Sequence, residues 1–184
     1  MRRLCLPLIL IFCLLLSSCG SRAQAEHFEQ FSGKLTGGTF LSFRSQLRCE
    51  YDDRSVDFTL SYSENAEGAQ VSVIKPDIIS GVIGHVKADS SALEYDEVVI
   101  DTGDLDKFGL SPMTALPALA QALKTGHLES YWEEENSFVY ELSYDEHLTV
   151  RVWFNALNMI PQKAEIISDG QVKVFCQIEN WTMG

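Results

Sequence analysis

The stretch LSFRSQLRCEY, residues 41–51, decides the fold class because apolar and polar side chains alternate along it. A period of two is typical of a β-strand with one buried face. The same alternation continues over residues 55–62, where Phe58 and Leu60 are apolar members. Turn residues, Asp52 and Asp53, separate the two stretches. The pair therefore predicts an antiparallel hairpin.

Further short apolar segments follow at the spacing of a large sheet. We interpret them as strands at 69–74, 82–88, 92–95, 97–101, 128–133, 138–144, 148–154, 163–168 and 172–179. Asp169-Gly170 is a two-residue hairpin signature of the primed type. The sequence thus predicts a mainly β (α+β) chain with about eleven strands, in a curved antiparallel sheet or unclosed β-barrel. A single domain would span residues 28–184.

One segment, Ser111 to Thr125, has helical periodicity instead. Ser111 can cap its start, Pro112 suits the first turn, and Gly126 follows its end. Its apolar side consists of Met113, Leu116, Leu119 and Leu123. Pro117 predicts a bend or an early restart, because proline removes an amide donor. Such a helix is either a core lid or a mobile gate, and we favour the lid.

The first residues have the pattern of an export signal. Arg2 and Arg3 precede a thirteen-residue apolar run, which ends in Leu16-Ser17-Ser18-Cys19. The run is too short for a permanent membrane span. Leu-Ser-Ser-Cys resembles the lipobox of bacterial lipoproteins, which implies a signal peptide over 1–18 and palmitate-type acyl chains on Cys19. The alternative is a plain signal peptide with a chance cysteine.

The export signal and the lipobox-like motif predict that lipid on Cys19 anchors the folded body at the extracytoplasmic face of a bacterial cell membrane, in the cell envelope. Residues 19–27 would be the lipidated N-terminus and a short tether. The chain of 184 residues has 26 acidic and 14 basic side chains, a formal charge of -12. Such a charge argues against nucleic acid as a partner. It also predicts a body that stands off anionic lipid head groups.

Two cysteines, Cys49 and Cys176, remain in the exported body. Both lie on apolar sides of predicted strands. They form either a disulfide or two buried free thiols, and the sequence leaves both open. Neither has a second Cys or His at ligand spacing, so no metal site is predicted.

Four features together carry a resemblance to a known family. They are the strand closing on Val73-Ile74-Lys75-Pro76, the Leu93-Glu94-Tyr95-Asp96 hairpin, the Ser111-Pro112 helix, and the hairpin from Ile160-Pro161 to Ile178. The chain resembles the lipoprotein-carrier superfamily that includes LolA and LolB. That resemblance implies an unclosed barrel whose hollow, capped by helices, holds acyl chains. Ala25 to Phe31 is followed by Gly33, so the N-terminal helix looks stunted. Germination lipoproteins of spore-forming bacteria are also similar, and they work through protein partners.

Two motifs suggest other chemistry. Asp101-Thr102-Gly103 resembles the turn of retroviral-type aspartic proteases, but such enzymes need two copies. An ordinary turn after a strand is therefore favoured. Asp104 and Asp106 fit two positions of a calcium loop that lacks its final glutamate. We predict a non-enzymatic protein without cofactor.

Several strands are apolar on both faces, among them Tyr131-Trp132 and Val152-Trp153-Phe154. A one-sided sheet needs only one apolar face. We therefore predict a hydrophobic, lipid or acyl, ligand in the hollow. Its wall and lid would be Phe58, Leu60, Met113, Leu116, Leu119, Leu123, Trp132, Val150 and Val152. The alternatives are a fully covered core, or a lipoprotein that positions an exported protein partner.

If Cys19 carries the lipid, Cys19→Ala removes the acceptor of the acyl chains. We expect the signal to stay uncut by the lipoprotein peptidase and acyl labelling to disappear, with the body still folded. Metabolic labelling with an acyl precursor measures both. Labelling that survives the substitution would refute the assignment.

Overall fold

The structure, a computed structural model, describes residues 19–87, 90–103 and 110–184, with side chains from residue 23 onward. The predicted signal segment, residues 1–18, and the acids at 104 and 106 lie outside these ranges. None of the described helices is long and apolar enough to cross a lipid bilayer.

The described residues form two α-helices and eleven strands, and the number of strands is the one that the sequence predicts. The helices are α1 (Cys19–Gly37) and α2 (Pro112–Thr125), and a short 3-10 turn covers Asp77–Ile79. The strands are β1 (Leu41–Glu50), β2 (Ser55–Asn65), β3 (Gly68–Lys75), β4 (Ile83–Val86), β5 (Ser91–Tyr95), β6 (Val98–Gly103), β7 (His127–Glu134), β8 (Ser137–Ser143), β9 (Leu148–Asn155), β10 (Pro161–Ser168) and β11 (Gln171–Met183).

All eleven strands form one antiparallel sheet in the order β6-β5-β4-β3-β2-β1-β11-β10-β9-β8-β7. The sheet is unclosed, with β6 at one edge and β7 at the other. The predicted fold class is confirmed. Two meanders, β1 to β6 and β7 to β11, meet at the centre, where the first strand pairs with the last. Asp169 and Gly170 both have positive φ, as the predicted primed hairpin requires.

Helix α2 crosses the sheet, because the chain must pass from the β6 edge to the β7 edge between Gly103 and His127. It packs against β2, β3, β8 and β10 on what we call the inward face. Seven of its residues are buried: Thr114, Ala115, Leu116, Leu119, Ala120, Ala122 and Leu123. A helix buried on this scale is a core element, which agrees with the interpretation of α2 as a core lid.

The start of α2 is capped as the sequence predicts. The Thr114 amide donates to Ser111 Oγ at 3.2 Å, and the Ser111 amide donates to Thr114 Oγ1 at 2.8 Å. The helix runs through Pro117 without interruption, so the predicted restart is wrong. Burial of the residues around Pro117 outweighs the loss of one helical hydrogen bond.

Helix α1 is longer than the sequence predicts. Its described part reaches back to Cys19, so residues 20–26, the expected tether, are helical. Phe28, Phe31 and Leu35 form a buried stripe of helical spacing, with the Phe31 ring 4.8 Å from that of Phe154. Gly33 faces open space, where glycine costs about 1 kcal/mol without ending the helix. Packing of the aromatic stripe therefore overrides the local glycine signal.

A polar cluster fastens the end of α2 to its surroundings. Lys124 Nζ lies 2.6 Å from Glu64 Oε2 of β2, and the Tyr62 hydroxyl donates to the same oxygen at 2.9 Å. The Lys124 carbonyl accepts from Ser32 Oγ of α1 at 2.9 Å. One residue thus joins α1, α2 and the sheet.

Leu119→Ala tests the role of α2 as core. Leu119 is fully buried, so its truncation should lower the free energy of unfolding by about 2–5 kcal/mol. Leu157→Ala is the matched control, because Leu157 is 96% exposed, and it should change stability by about 0.5 kcal/mol or less. Urea unfolding followed by circular dichroism measures both. Equal effects of the two variants would contradict the packing described here.

Candidate functional site

Most residues predicted to line a hollow are brought together in a filled core. Six of them have no exposed surface: Leu60, Leu116, Leu119, Leu123, Val150 and Val152. A side chain next to a water-sized void would expose some surface to it, so the space beneath α2 is packed. Phe58 and Met113 are half-buried against this core. Met113 packs over Gly84, where an added Cβ would lie 2.6 Å from its Cε atom.

Trp132 lies on the opposite face of the sheet, so its prediction as a wall residue is wrong. It pairs with Val139, which is outside the main core, whereas Tyr131 pairs with Tyr140 of the core. A register shift between Leu128 and Ser130 changes which residues of β7 face inward. A bulge of this kind interrupts the period of two on which the prediction rested.

Some strands are apolar on both faces, and the residues of β7 to β10 that face away from the helices account for part of this pattern. Val139 is fully buried and Trp153 is 6% exposed, although both face away from the helices. Lys163 Nζ lies 4.0 Å from the Trp153 ring centroid. Arg151 lies over Trp132 and bonds Glu141 at 2.7 Å and Glu165 at 3.0 Å. We call this arrangement the outer cluster.

A concave site lies at one end of the inward face, where two central hairpins meet the start of α2. We call it the mouth pocket, and its volume is about 430 Å³. Its apolar lining consists of Cys49, Tyr51, Leu110, Pro112 and Val174. Its polar lining consists of Glu50, Asp52, Asp53, Arg54, Ser111, Ser168 and Lys173. None of the nine predicted wall residues lines this pocket.

Pairing of β1 with β11 positions the mouth pocket. Cys49 stands opposite Val174, so their side chains share the inward face at the ends of both strands. The turn after β1 is closed by the Tyr51 amide, which donates to the Arg54 carbonyl at 2.8 Å. Lys173 Nζ donates to Gln171 at 2.9 Å on the other hairpin. The lining thus combines apolar side chains, which we call the floor, with cations and carboxylates, which we call the rim, and this composition suits an amphiphilic molecule.

The Cys49 thiol, which lines the mouth pocket, has low reactivity. Burial raises the pKa of Cys49 from its ordinary value of 9.0 to about 11, and the charges of Glu50 and Asp57 add to the shift. The thiolate is the reactive form of cysteine, so Cys49 is a poor nucleophile at neutral pH. The Ser111 hydroxyl is engaged in the cap of α2, where its oxygen accepts a hydrogen bond from the Thr114 amide.

Cys49 and Cys176 are both free and buried. Cys176 pairs with Leu47, so the two cysteines are diagonal neighbours on adjacent strands. Diagonal Cβ atoms are about 7 Å apart, whereas a disulfide needs about 4 Å.

Asp101 and the histidines His85 and His147 have ordinary structural roles. The Asp101 carboxylate accepts from the Gly103 amide at 2.8 Å and so closes its own turn, as the turn interpretation predicts. His85 Nε2 lies 2.7 Å from Glu94, and His147 Nδ1 lies 3.1 Å from Asp169, each pair on neighbouring strands or turns.

Comparisons with known proteins support the fold. No protein-family model and no curated protein sequence matches the chain. A DUF1329 family protein from Desulfovibrio piger is 8% identical, with 88% of this chain and 91% of that chain covered and a TM-score of 0.50. An uncharacterized conserved protein from Thermus thermophilus is 9% identical, with 87% of each chain covered and a TM-score of 0.50. A LolA superfamily protein from Nitrosomonas europaea is 13% identical, with 85% and 91% covered and a TM-score of 0.46.

Similarity at this level of identity concerns the fold alone. Solved structures of a LolA superfamily protein and of a lipoprotein-sorting protein domain are among those that the chain resembles in fold.

A body lacking residues 1–19 contains only Cys49 and Cys176, and we expect both thiols to be free. Burial raises the pKa of Cys176 to about 12, so both should react slowly with a thiol reagent at neutral pH and rapidly after denaturation. Thiol counting on non-reduced protein checks this. No reactive thiol in denaturant would establish a disulfide instead.

The raised pKa values of Cys49 and Cys176 make the free energy of unfolding depend on pH. The folded-state pKa values of about 11 and about 12 exceed the unfolded value, so the folded state holds these protons more tightly. The stability that the two buried thiols contribute is complete below about pH 9. It is lost as the pH rises toward 11–12 and the thiols ionise. The double variant Cys49→Ala, Cys176→Ala should therefore lose less of its stability over that range.

Proposed function

We propose that this protein is a non-enzymatic lipoprotein, anchored through Cys19, that binds an acyl-bearing amphiphile in the mouth pocket. The pocket itself carries the proposal. Its volume of about 430 Å³ lies within the range of small-molecule sites, about 300–1,000 Å³. Its lining combines an apolar floor with a charged rim.

The floor would supply most of the affinity. Each Å² of apolar surface removed from water contributes about 25 cal/mol, so burial of an acyl chain against Leu110, Pro112 and Val174 is favourable without any directional contact. Selectivity among chain types should accordingly be poor. The filled core beneath α2 supports this floor rather than holding the ligand.

The rim would orient the polar end of the ligand. Arg54 and Lys173 are the cations among the lining residues, and Glu50, Asp52 and Asp53 are the carboxylates. Cations select for a phosphate or carboxylate head group, while the carboxylates favour a zwitterionic one. A head group that bears both charges fits this rim best.

The position of α1 bears on how close a lipid anchor would hold the body to the bilayer. The Tyr140 hydroxyl donates to the Gln24 carbonyl at 3.0 Å, five residues after Cys19. A lipid on Cys19 would therefore hold the body close to the bilayer, in contrast to the stand-off that net charge predicts. The distance of the body from the bilayer would then be set by α1.

Ser168→Trp tests the pocket by filling it. Ser168 is a half-buried residue at the end of β10 that lines the mouth pocket. An indole there should displace a fluorescent fatty-acid probe and weaken its binding by about tenfold or more, because about 200 Å² of apolar side chain would occupy the floor. Fluorescence titration measures the change.

Ser143→Trp is the matched control, since Ser143 is a half-buried serine at the end of β8 outside the pocket. It should bind the probe like the unchanged protein. Native mass spectrometry of protein extracted gently from its host should also show co-purifying acyl species. Equal weakening by both tryptophans, or consistently ligand-free protein, would refute the proposed function.

A further inference from the structure

The edge strand β6 exposes a run of apolar residues. Val98 is 60% exposed, and Val99 and Ile100 are each 62% exposed. Among the described residues, β6 pairs with β5 alone, so the backbone groups along its other side have no strand partner there. An edge of this kind is a template for the addition of another strand.

The other edge of the sheet is protected from such pairing. On β7, Glu129, Glu133 and Glu134 are all exposed. Charged side chains on an edge strand oppose association with another strand. The middle of β6 carries three β-branched apolar residues in the corresponding place, so the two edges differ in kind.

Apolar surface is present on both faces of β6. Ile100 pairs with Leu93, which lies on the inward face near Gly84, and Val98 pairs with Tyr95 on that same face. Val99 lies on the outer face. An added strand would therefore bury alternate side chains on each side of the sheet. Neither the mouth pocket nor the outer cluster uses these residues.

Charge decides the character of the occupant. Residues 90–103 contain the acids Glu94, Asp96, Glu97 and Asp101 and no base. An antiparallel β6–β6 contact between two copies would bring Asp101 of each copy toward Asp96 and Glu97 of the other, which like-charge repulsion opposes. A segment with lysine or arginine would be attracted instead.

We propose that β6 binds an extended segment of a partner protein, which adds as a further strand, has Val or Ile at alternate positions and bears basic residues at its ends. Main-chain hydrogen bonds would give affinity, the alternate apolar residues would be buried beside Val98 and Ile100 on the inward face, and the basic ends would meet the acids around β6. This interaction goes beyond the proposed ligand binding and uses separate residues.

The test uses the full chain in detergent and a labelled synthetic peptide, Lys-Lys-Val-Thr-Ile-Thr-Val-Lys-Lys. We expect binding by fluorescence anisotropy and, in hydrogen exchange, protection of the β6 amides that point away from β5. Val99→Lys should weaken binding by about tenfold or more, since a charge on the edge opposes pairing. Leu157→Lys, at a 96% exposed position on another loop, is the matched control and should bind normally.

A peptide of the same sequence, N-methylated at alternate residues, separates strand addition from simple charge attraction because it cannot form the ladder. Equal binding of both peptides would overturn the proposal in favour of charge attraction alone. Absence of binding, or a dimer that Val99→Lys dissociates, would overturn it as well. Ser168→Trp should leave peptide binding unchanged and Val99→Lys should leave fatty-acid binding unchanged, so failure of one proposal is distinguishable from failure of the other.

Discussion

Burial of α2 against the inward face is the interaction on which the rest of the structure depends. The connection between β6 and β7 must cross the whole sheet, and a helix satisfies its own backbone hydrogen bonds during that crossing. Alanines at 115, 120 and 122 let the helix lie close to the strands, while Leu116, Leu119 and Leu123 fill the space between. The same helix then supports α1, and its first turn forms one wall of the mouth pocket.

The strands and the capped helix could be predicted because each has a local signal. Alternation along 41–51 and the Ser111-Pro112 start are properties of neighbouring residues, and both are confirmed. The length of α1 could not be predicted, since its aromatic stripe is stabilised by Phe154 and Tyr140, more than a hundred residues away. The face of Trp132 was missed because a bulge depends on the partner strand.

The candidate site was harder to predict than the fold. Apolar residues that line a hollow and apolar residues that fill a core have the same composition, so the nine predicted positions fit both. The mouth pocket is built from a turn after β1, a hairpin before β11 and the first turn of α2. Cys49 was identified from the sequence only as a possible disulfide partner, and the charged residues of the pocket look like ordinary turn residues until the strand order brings them together. The apolar surplus divides between the core, the outer cluster and β6.

The pairing of β1 with β11 has a consequence for how the molecule reaches its native state. Ser45 Oγ of β1 donates to the Gln177 carbonyl of β11, a contact between residues separated by 132 positions. Contacts between residues so far apart in the sequence form slowly. The entropy cost of closing the long loop is incurred before the contacts can stabilise the closed chain. The two meanders can assemble from local hairpins, but they cannot share one core until the C-terminal strand arrives. Loss of that strand should therefore leave two half-sheets with open edges, the kind of species that chaperones recognise.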